Sequence, residues 1–169
     1  LPRDILKIEI DAIKAQGVDI KLNTAVGRDI SLDDVKKEHD ALFIAVGAQI
    51  ATGLWLEEEK DIIEGFVKWS DLLGKAGLNK GEKQGDNVVV VGGGNTAGDS
   101  ARTALRLGSE KVTILYRRTK EQMPAFEEEI EDALEEGIEM QFLCMPVKLL
   151  HTDGKLTGIT CIKMELGEK

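Results

Sequence analysis

The sequence predicts an α/β fold with a parallel sheet, on three observations. "NVVVV" (87–91) reads as an apolar strand, followed at once by a glycine turn and a helix-forming segment. From residue 87 onward, strand and helix patterns alternate as strand–helix–strand–helix–strand. That order gives parallel strands with right-handed crossovers. The 169 residues are 42% hydrophobic, so the chain can bury a core and is not disordered by composition.

Residues 4–16, "DILKIEIDAIKAQ", predict an amphipathic helix ended by Gly17. "VDIKL" (18–22) alternates as a half-buried strand does. "SLDDVKKEH" (31–39) predicts a short helix with Ser31 as N-cap. "ALFIAVGA" (41–48) is continuous enough in apolar residues for an interior strand of a parallel sheet. Residues 49–86 are less regular, with a solvated acid run at Glu57–Glu59, one helix in "FVKWSDLLGKAG" (66–77) and a polar connector, "NKGEKQGDN". A domain boundary is expected here, as a linker over 51–85 between residues 1–50 and a module over 86–169.

After the "NVVVV" strand, a helix is expected over about 95–107, a strand at "KVTILY" (111–116), a helix over about 125–136 and a strand at "IEMQFL" (138–143). Phe126, Ile130, Leu134 and Ile138 recur every four residues and predict the apolar face of the second of these helices. The tail reads as a hairpin turning at "TDGK". No repeat or low-complexity segment is evident.

The net charge of −9 argues against nucleic acid and anionic membrane surfaces as partners. No apolar run approaches the roughly 18–20 residues of a membrane span, and no signal-peptide pattern opens the chain. Cys144 and Cys161 form no CxxC pair, which fits a reducing, cytoplasmic compartment. His39 and His151 lie apart from them, so no metal site is expected. The chain opens at Leu1 without a methionine, which favours an excised piece of a longer protein.

The chemistry concentrates at "GGGNTA". Gly92, Gly94 and Ala97 fill the three key positions of G-x-G-x-x-G/A, with Gly93 between the first two. The first glycine permits the tight turn, the second lets a pyrophosphate approach the backbone, and Ala97 lets the helix pack close to its strand. Asn95 and Thr96 open the helix, so free N–H groups and the helix dipole face the anion. Ala97, Ala101 and Ala104 keep this helix slim. The pattern predicts a Rossmann-like, three-layer parallel sheet binding a dinucleotide.

The end of the second strand selects the dinucleotide. An NAD site carries an acid there for the ribose 2′-hydroxyl. This chain has "YRRTK": Tyr116 is placed to cover an adenine, and Arg117 and Arg118 to bond a 2′-phosphate. Charge-assisted hydrogen bonds contribute roughly 1.5–3 kcal/mol each. One or two of them favour NADP over NAD by about tenfold to a thousandfold. The acids of "EEEIEDALEE" are mostly a solvated helix face. Glu127–Glu129 fall in its first turn, and Glu129 is the candidate for ordering an arginine or reaching a ribose hydroxyl.

"VVVVGGGNTAGDSARTALRLG", "VTILYRRTKEQMPA" and "EEIEDALEEGIE" together resemble the small (beta) subunit of NADPH-dependent glutamate synthase and its flavoprotein relatives. "LPRDILKIEIDAIKAQGVDIKLNTAVGRDISLDDV" and "DALFIAVGA" resemble the segment just upstream of the NADPH module in that family. The resemblance implies two dinucleotide domains, one for FAD and one for NADPH, the second inserted into the first. It puts part of the FAD-type domain in residues 1–50. Gly92, Gly94, Asn95, Thr96 and Ala97 match the family's pyrophosphate turn, and Arg117 and Arg118 its 2′-phosphate arginines. The implied activity is hydride transfer between NADPH and FAD, with electrons leaving through iron–sulfur clusters on other segments or a partner. Partners would be the remainder of the parent flavoprotein and a larger catalytic subunit or ferredoxin.

Several family features have no counterpart here: the FAD glycine fingerprint, the cluster cysteines, the C-terminal FAD-contacting segment and the strand that closes the NADPH sheet. "GLWLEEEKDIIEG" (53–65) lacks the family's proline pattern, and Gly98 replaces a bulkier apolar residue. An open sheet edge is therefore expected, inviting a homodimer. No catalytic side chain is expected, because the cofactors carry the chemistry. Two other readings use the same glycine turn. One is a non-catalytic NADP(H)-sensing module, and the other a methyltransferase, which Arg117 and Arg118 disfavour.

Overall fold

The computed structural model describes residues 2–48, 50–60 and 63–167. The chain divides into two compact units, 1–47 and 48–169.

The first unit contains α1 (Arg3–Ala15) and α2 (Leu32–Glu38). The hydroxyl of Ser31 caps α2 by accepting from the Asp34 N–H at 3.1 Å, as the sequence predicts. Between the helices the carboxylate of Asp29 closes a turn by accepting from the Ala25 N–H at 2.8 Å. The two strands expected in this unit do not form: residues 18–22 and 41–48 are irregular. Phe43 is 90% exposed and Val46 74%. A parallel strand exists only through hydrogen bonds to neighbouring strands. Residues 41–48 join neither of the two sheets formed by the described residues, so the apolar pattern is not realised as a strand.

The second unit holds the sheet. A 3₁₀ turn at Glu57–Lys60 lies in the segment expected to be irregular, of which residues 61 and 62 fall outside the description. Helix α3 (Trp69–Gly77) follows. Then come β1 (Asn87–Val91), α4 (Asn95–Arg106), β2 (Lys111–Leu115), α5 (Glu127–Glu135) and β3 (Glu139–Gln141). The three strands are parallel in the order β1-β2-β3, with Asn87 opposite Lys111 and Thr113 opposite Glu139.

Helix α4 packs on β1 and β2, with α3 and α5 at its sides. The core there is Ala101, Ala104, Val112, Ile114, Ala133 and Ile138, with Val88, Val90 and Met140 against it. Ala101 and Ala104 are fully buried, so the alanine stripe lets the helix sit close to the sheet. The apolar face of α5 differs from the expected one. Ile130 and Ala133 are buried, whereas Leu134 is 44% and Phe126 66% exposed. A spacing of four residues advances about 40° per step around a 3.6-residue helix, so a four-period row drifts off the core face. Ile138 does reach the core, but beyond the helix, after Gly137.

Strands β4 (Cys144–Thr152) and β5 (Lys155–Lys163) form the expected hairpin as a separate antiparallel sheet. Asp153 and Gly154 both have positive φ, 50° and 74°, the conformation of the two-residue hairpin turn. Residue 64 pairs beside this turn: the Glu64 N–H donates to Gly154 O at 2.8 Å, and the Leu156 N–H donates to Glu64 O at 2.9 Å.

Candidate dinucleotide site

The glycine turn joins β1 to α4. Gly92 has φ +151°, which an L side chain rarely adopts, and its N–H donates to Leu115 O at 3.1 Å. Ala97 is buried, and a Cβ on Gly92 would meet the Ala97 Cβ at 3.2 Å, so strand and helix meet closely here. Gly94 is the N-cap of α4, in an extended conformation. A Cβ on Gly94 would find only Pro124 Cγ, at 3.9 Å. Space therefore opens in front of the helix. Among the described residues, the N–H groups of Gly93, Gly94, Asn95 and Thr96 have no hydrogen-bond partner. Four consecutive unpaired donors at a helix N-terminus are the backbone arrangement that binds phosphate.

The loop after β2 lies against this turn. The ring of Tyr116 occupies the space a Gly93 side chain would need, with Cδ2 2.5 Å from the position of such a Cβ. The Tyr116 hydroxyl donates to Gln122 O at 2.6 Å. The Ala125 N–H donates to Gly93 O at 3.1 Å, and the Phe126 N–H donates to Asn95 Oδ1 at 2.9 Å. Tyr116, expected to cover an adenine, is thus seated against the turn itself. In the sequence Asn95 reads only as part of the turn, with no sign at that residue of its bond to the loop. The available signal was "MPA": Pro124 restricts the residue before it to an extended course, which carries Ala125 and Phe126 back to the turn.

Arg117 and Arg118 are exposed, and no side-chain partner of either is found among the described residues. Backbone bonds fix their place in the loop: Leu143 N–H donates to Arg118 O at 3.0 Å, and Cys144 N–H to Tyr116 O at 3.1 Å. Arg102, by contrast, is committed to α5. It reaches Glu129 at 3.0 Å, Asp132 at 3.1 Å and Glu136 at 2.8 Å, and Glu136 also takes Arg106 at 2.6 Å. Glu129 does order an arginine, but on α4. Burial alone would raise the Glu136 pKa, and the hydrogen bonds from Arg102 and Arg106 outweigh it and hold the carboxyl below its ordinary value. The Arg102 guanidinium is held above its ordinary value, chiefly by Glu136.

Elsewhere, an open cavity of about 470 Å³ has Asp71, Leu72, Lys75, Lys83 and Leu156 in its wall and shares no residue with the glycine turn. Cys144 and Cys161 are free thiols on the hairpin. Burial, then the hydrogen bond to Cys144, pushes Cys161 up to about 11. No group of three or more metal-ligating side chains occurs among the described residues, and no helix there is long and apolar enough to cross a membrane.

The chain is 43% identical over 169 residues to the NADPH-Fe(3+) oxidoreductase subunit beta of Geobacter sulfurreducens, covering 99% of this chain and 25% of that protein. It is 43% identical to the NADP(+)-dependent formate dehydrogenase subunit beta of Moorella thermoacetica, covering 24% of it. It is 34% identical to the glutamate synthase [NADPH] small chain of Escherichia coli, covering 38% of it. The chain therefore spans between about a quarter and two-fifths of the length of these relatives. The thioredoxin reductase of T. acidophilum shares the fold over 70% of this chain and 36% of its own, with a TM-score of 0.56 at 17% identity. The family model of the pyridine nucleotide-disulphide oxidoreductases matches residues 31–166, and the chain belongs to that family.

Proposed function

We propose that this chain is the NADPH-binding portion of a flavin-dependent oxidoreductase of the glutamate synthase small-subunit type, passing hydride between NADPH and FAD. On this reading residues 86–169 are the NADPH module. Residues 1–50 belong to the FAD-binding domain, and 51–85 link the two. The remainder of the parent flavoprotein supplies the strand that closes the NADPH sheet and most of the FAD site. Iron–sulfur clusters on other segments, a larger subunit or ferredoxin carry the electrons onward.

The observation that carries the reading is the row of N–H groups from Gly93 to Thr96, unpaired among the described residues, beside a loop whose two arginines have no side-chain partner among those residues. The N–H groups and the α4 dipole hold the pyrophosphate. Gly94 leaves room for it. Arg117 and Arg118 take the 2′-phosphate, because guanidinium forks match phosphate oxygens and stay charged at every physiological pH. The nicotinamide of the bound nucleotide supplies two electrons as hydride. Beyond that, the task of this chain is to bind the nucleotide and orient it. No proton transfer is assigned to a side chain of this protein.

The test is calorimetric titration with NADPH and NADH, repeated on Arg117→Ala/Arg118→Ala. NADPH should bind about tenfold to a thousandfold more tightly than NADH, and the double substitution should remove most of that difference. Equal affinities in the unaltered chain would sink the assignment of the 2′-phosphate. The names of the relatives, two of which specify NADPH and one NADP(+), support the same preference.

A further inference from the structure

The turn that meets the pyrophosphate and the loop that carries the arginines are separate segments, joined by few contacts. Two of these, the Tyr116 ring against Gly93 and the Ala125 N–H to Gly93 O, use backbone or a wall of the fold. The third is a single side-chain hydrogen bond, from the Phe126 N–H to Asn95 Oδ1 at 2.9 Å, and it spans 31 residues of sequence. Within the loop, the Tyr116 hydroxyl bonds Gln122 O, and Thr119 and Gln122 cap each other. The loop is thus a closed unit, which Asn95 ties to the first turn of α4.

We infer that Asn95 is a positioning residue for nucleotide choice: its amide oxygen fixes the Arg117–Arg118 loop relative to the glycine turn. This rests on the reading of the site given above. In the nucleotide, the ribose sets the separation of the 2′-phosphate from the pyrophosphate. A protein that holds both anchors at that separation beforehand loses less freedom on binding. An NAD-type nucleotide, lacking the 2′-phosphate, gains nothing from the arrangement, so the effect is on preference rather than on affinity in general. The residue type fits the position. The loop presents an N–H donor, so an acceptor is required. Beside a pyrophosphate, a neutral amide supplies the acceptor without the repulsion a carboxylate would add.

The experiment compares the unaltered chain, Asn95→Ala and Asn95→Asp in two measurements. The first is amide hydrogen exchange at Phe126 without nucleotide, and the second is the dissociation constants of NADPH and NADH. Asn95→Ala should speed exchange at Phe126 and reduce the NADPH-over-NADH preference by about three- to tenfold, mainly through NADPH. Asn95→Asp should keep Phe126 protected and keep the preference, while weakening both nucleotides together. Unchanged exchange in Asn95→Ala overturns the tie. Faster exchange with an unchanged ratio overturns the role in nucleotide choice and leaves a purely structural bond. Failure of the underlying reading looks different: the unaltered chain then shows no preference, or the double arginine substitution leaves it intact, whatever happens at Phe126.

Discussion

At Gly94 an added methyl group would approach only Pro124 Cγ, at 3.9 Å, whereas at Gly93 it would meet the Tyr116 ring. The φ of Gly94 is −94°, which any residue adopts. The neighbouring positions should therefore fail differently. Gly94→Ala should fold with its melting temperature nearly unchanged, and bind NADPH at least about tenfold more weakly because the methyl fills the anion space. Gly93→Ala should lose stability by about 1–3 kcal/mol, the usual cost of overpacking, as the ring is driven from its seat. Thermal melts with matched titrations distinguish the two. Cys161 offers a prediction away from the site. With its pKa near 11, native Cys161 should be alkylated by iodoacetamide at pH 8 much more slowly than in the denatured chain. Peptide mass spectrometry of the labelled protein reads this directly, and equal rates would remove the effect of burial.

At the scale of elements, α4 is held from two sides: its alanines on the sheet and its arginines on α5. The Arg102–Glu136–Arg106 cluster ties the two helices across 34 residues of sequence. The depressed Glu136 pKa sets the sign of its pH dependence. Its contribution to stability is complete above the ordinary carboxyl value of 4.5 and is lost as pH falls through the lower folded value. Melting temperature should therefore drop below about pH 4.5, and Glu136→Gln should make that drop shallower while lowering the melting temperature at pH 7. A parallel acid limb in both proteins would show that other carboxylates dominate. Ala101→Leu, placed where the helix has no exposed surface at all, should cost about 1–3 kcal/mol and pull α4 off β2.

At the scale of the molecule, strand β1 is an edge of the three-stranded sheet, and Val89 on it is 46% exposed. Ile8 of α1 and Phe43 and Ile44 of the 41–48 segment are 65%, 90% and 66% exposed. An open apolar edge strand pairs with whatever backbone it meets. The 169-residue chain alone should self-associate as its concentration rises, and sedimentation velocity over a hundredfold dilution would show it. A longer chain that includes the family's flanking segments should sediment as one species over that range if those segments cover the edge. A monomer at every concentration would mean that the edge is protected by something local.

The sequence by itself determined the parts whose signal is local. The glycine turn, the alternation from residue 87 onward, the Ser31 cap and the Asp153–Gly154 hairpin turn each follow from short-range sterics and hydrogen bonding, and each formed as predicted. The geometry of the candidate site was legible for the same reason, since small residues leading into a helix N-terminus are read in order along the chain. What only the tertiary structure decided depends on partners distant in sequence. The apolar run 41–48 is composed like a strand, yet strand formation needs a neighbouring strand in register, and this segment joins neither sheet. The period-four row of α5 drifted off the core because packing follows the 3.6-residue turn. Tyr116 and Asn95 became ties between turn and loop because their partners lie across β2 in the chain; "MPA" sets the extended course of the loop, but only the tertiary structure pairs it with the turn.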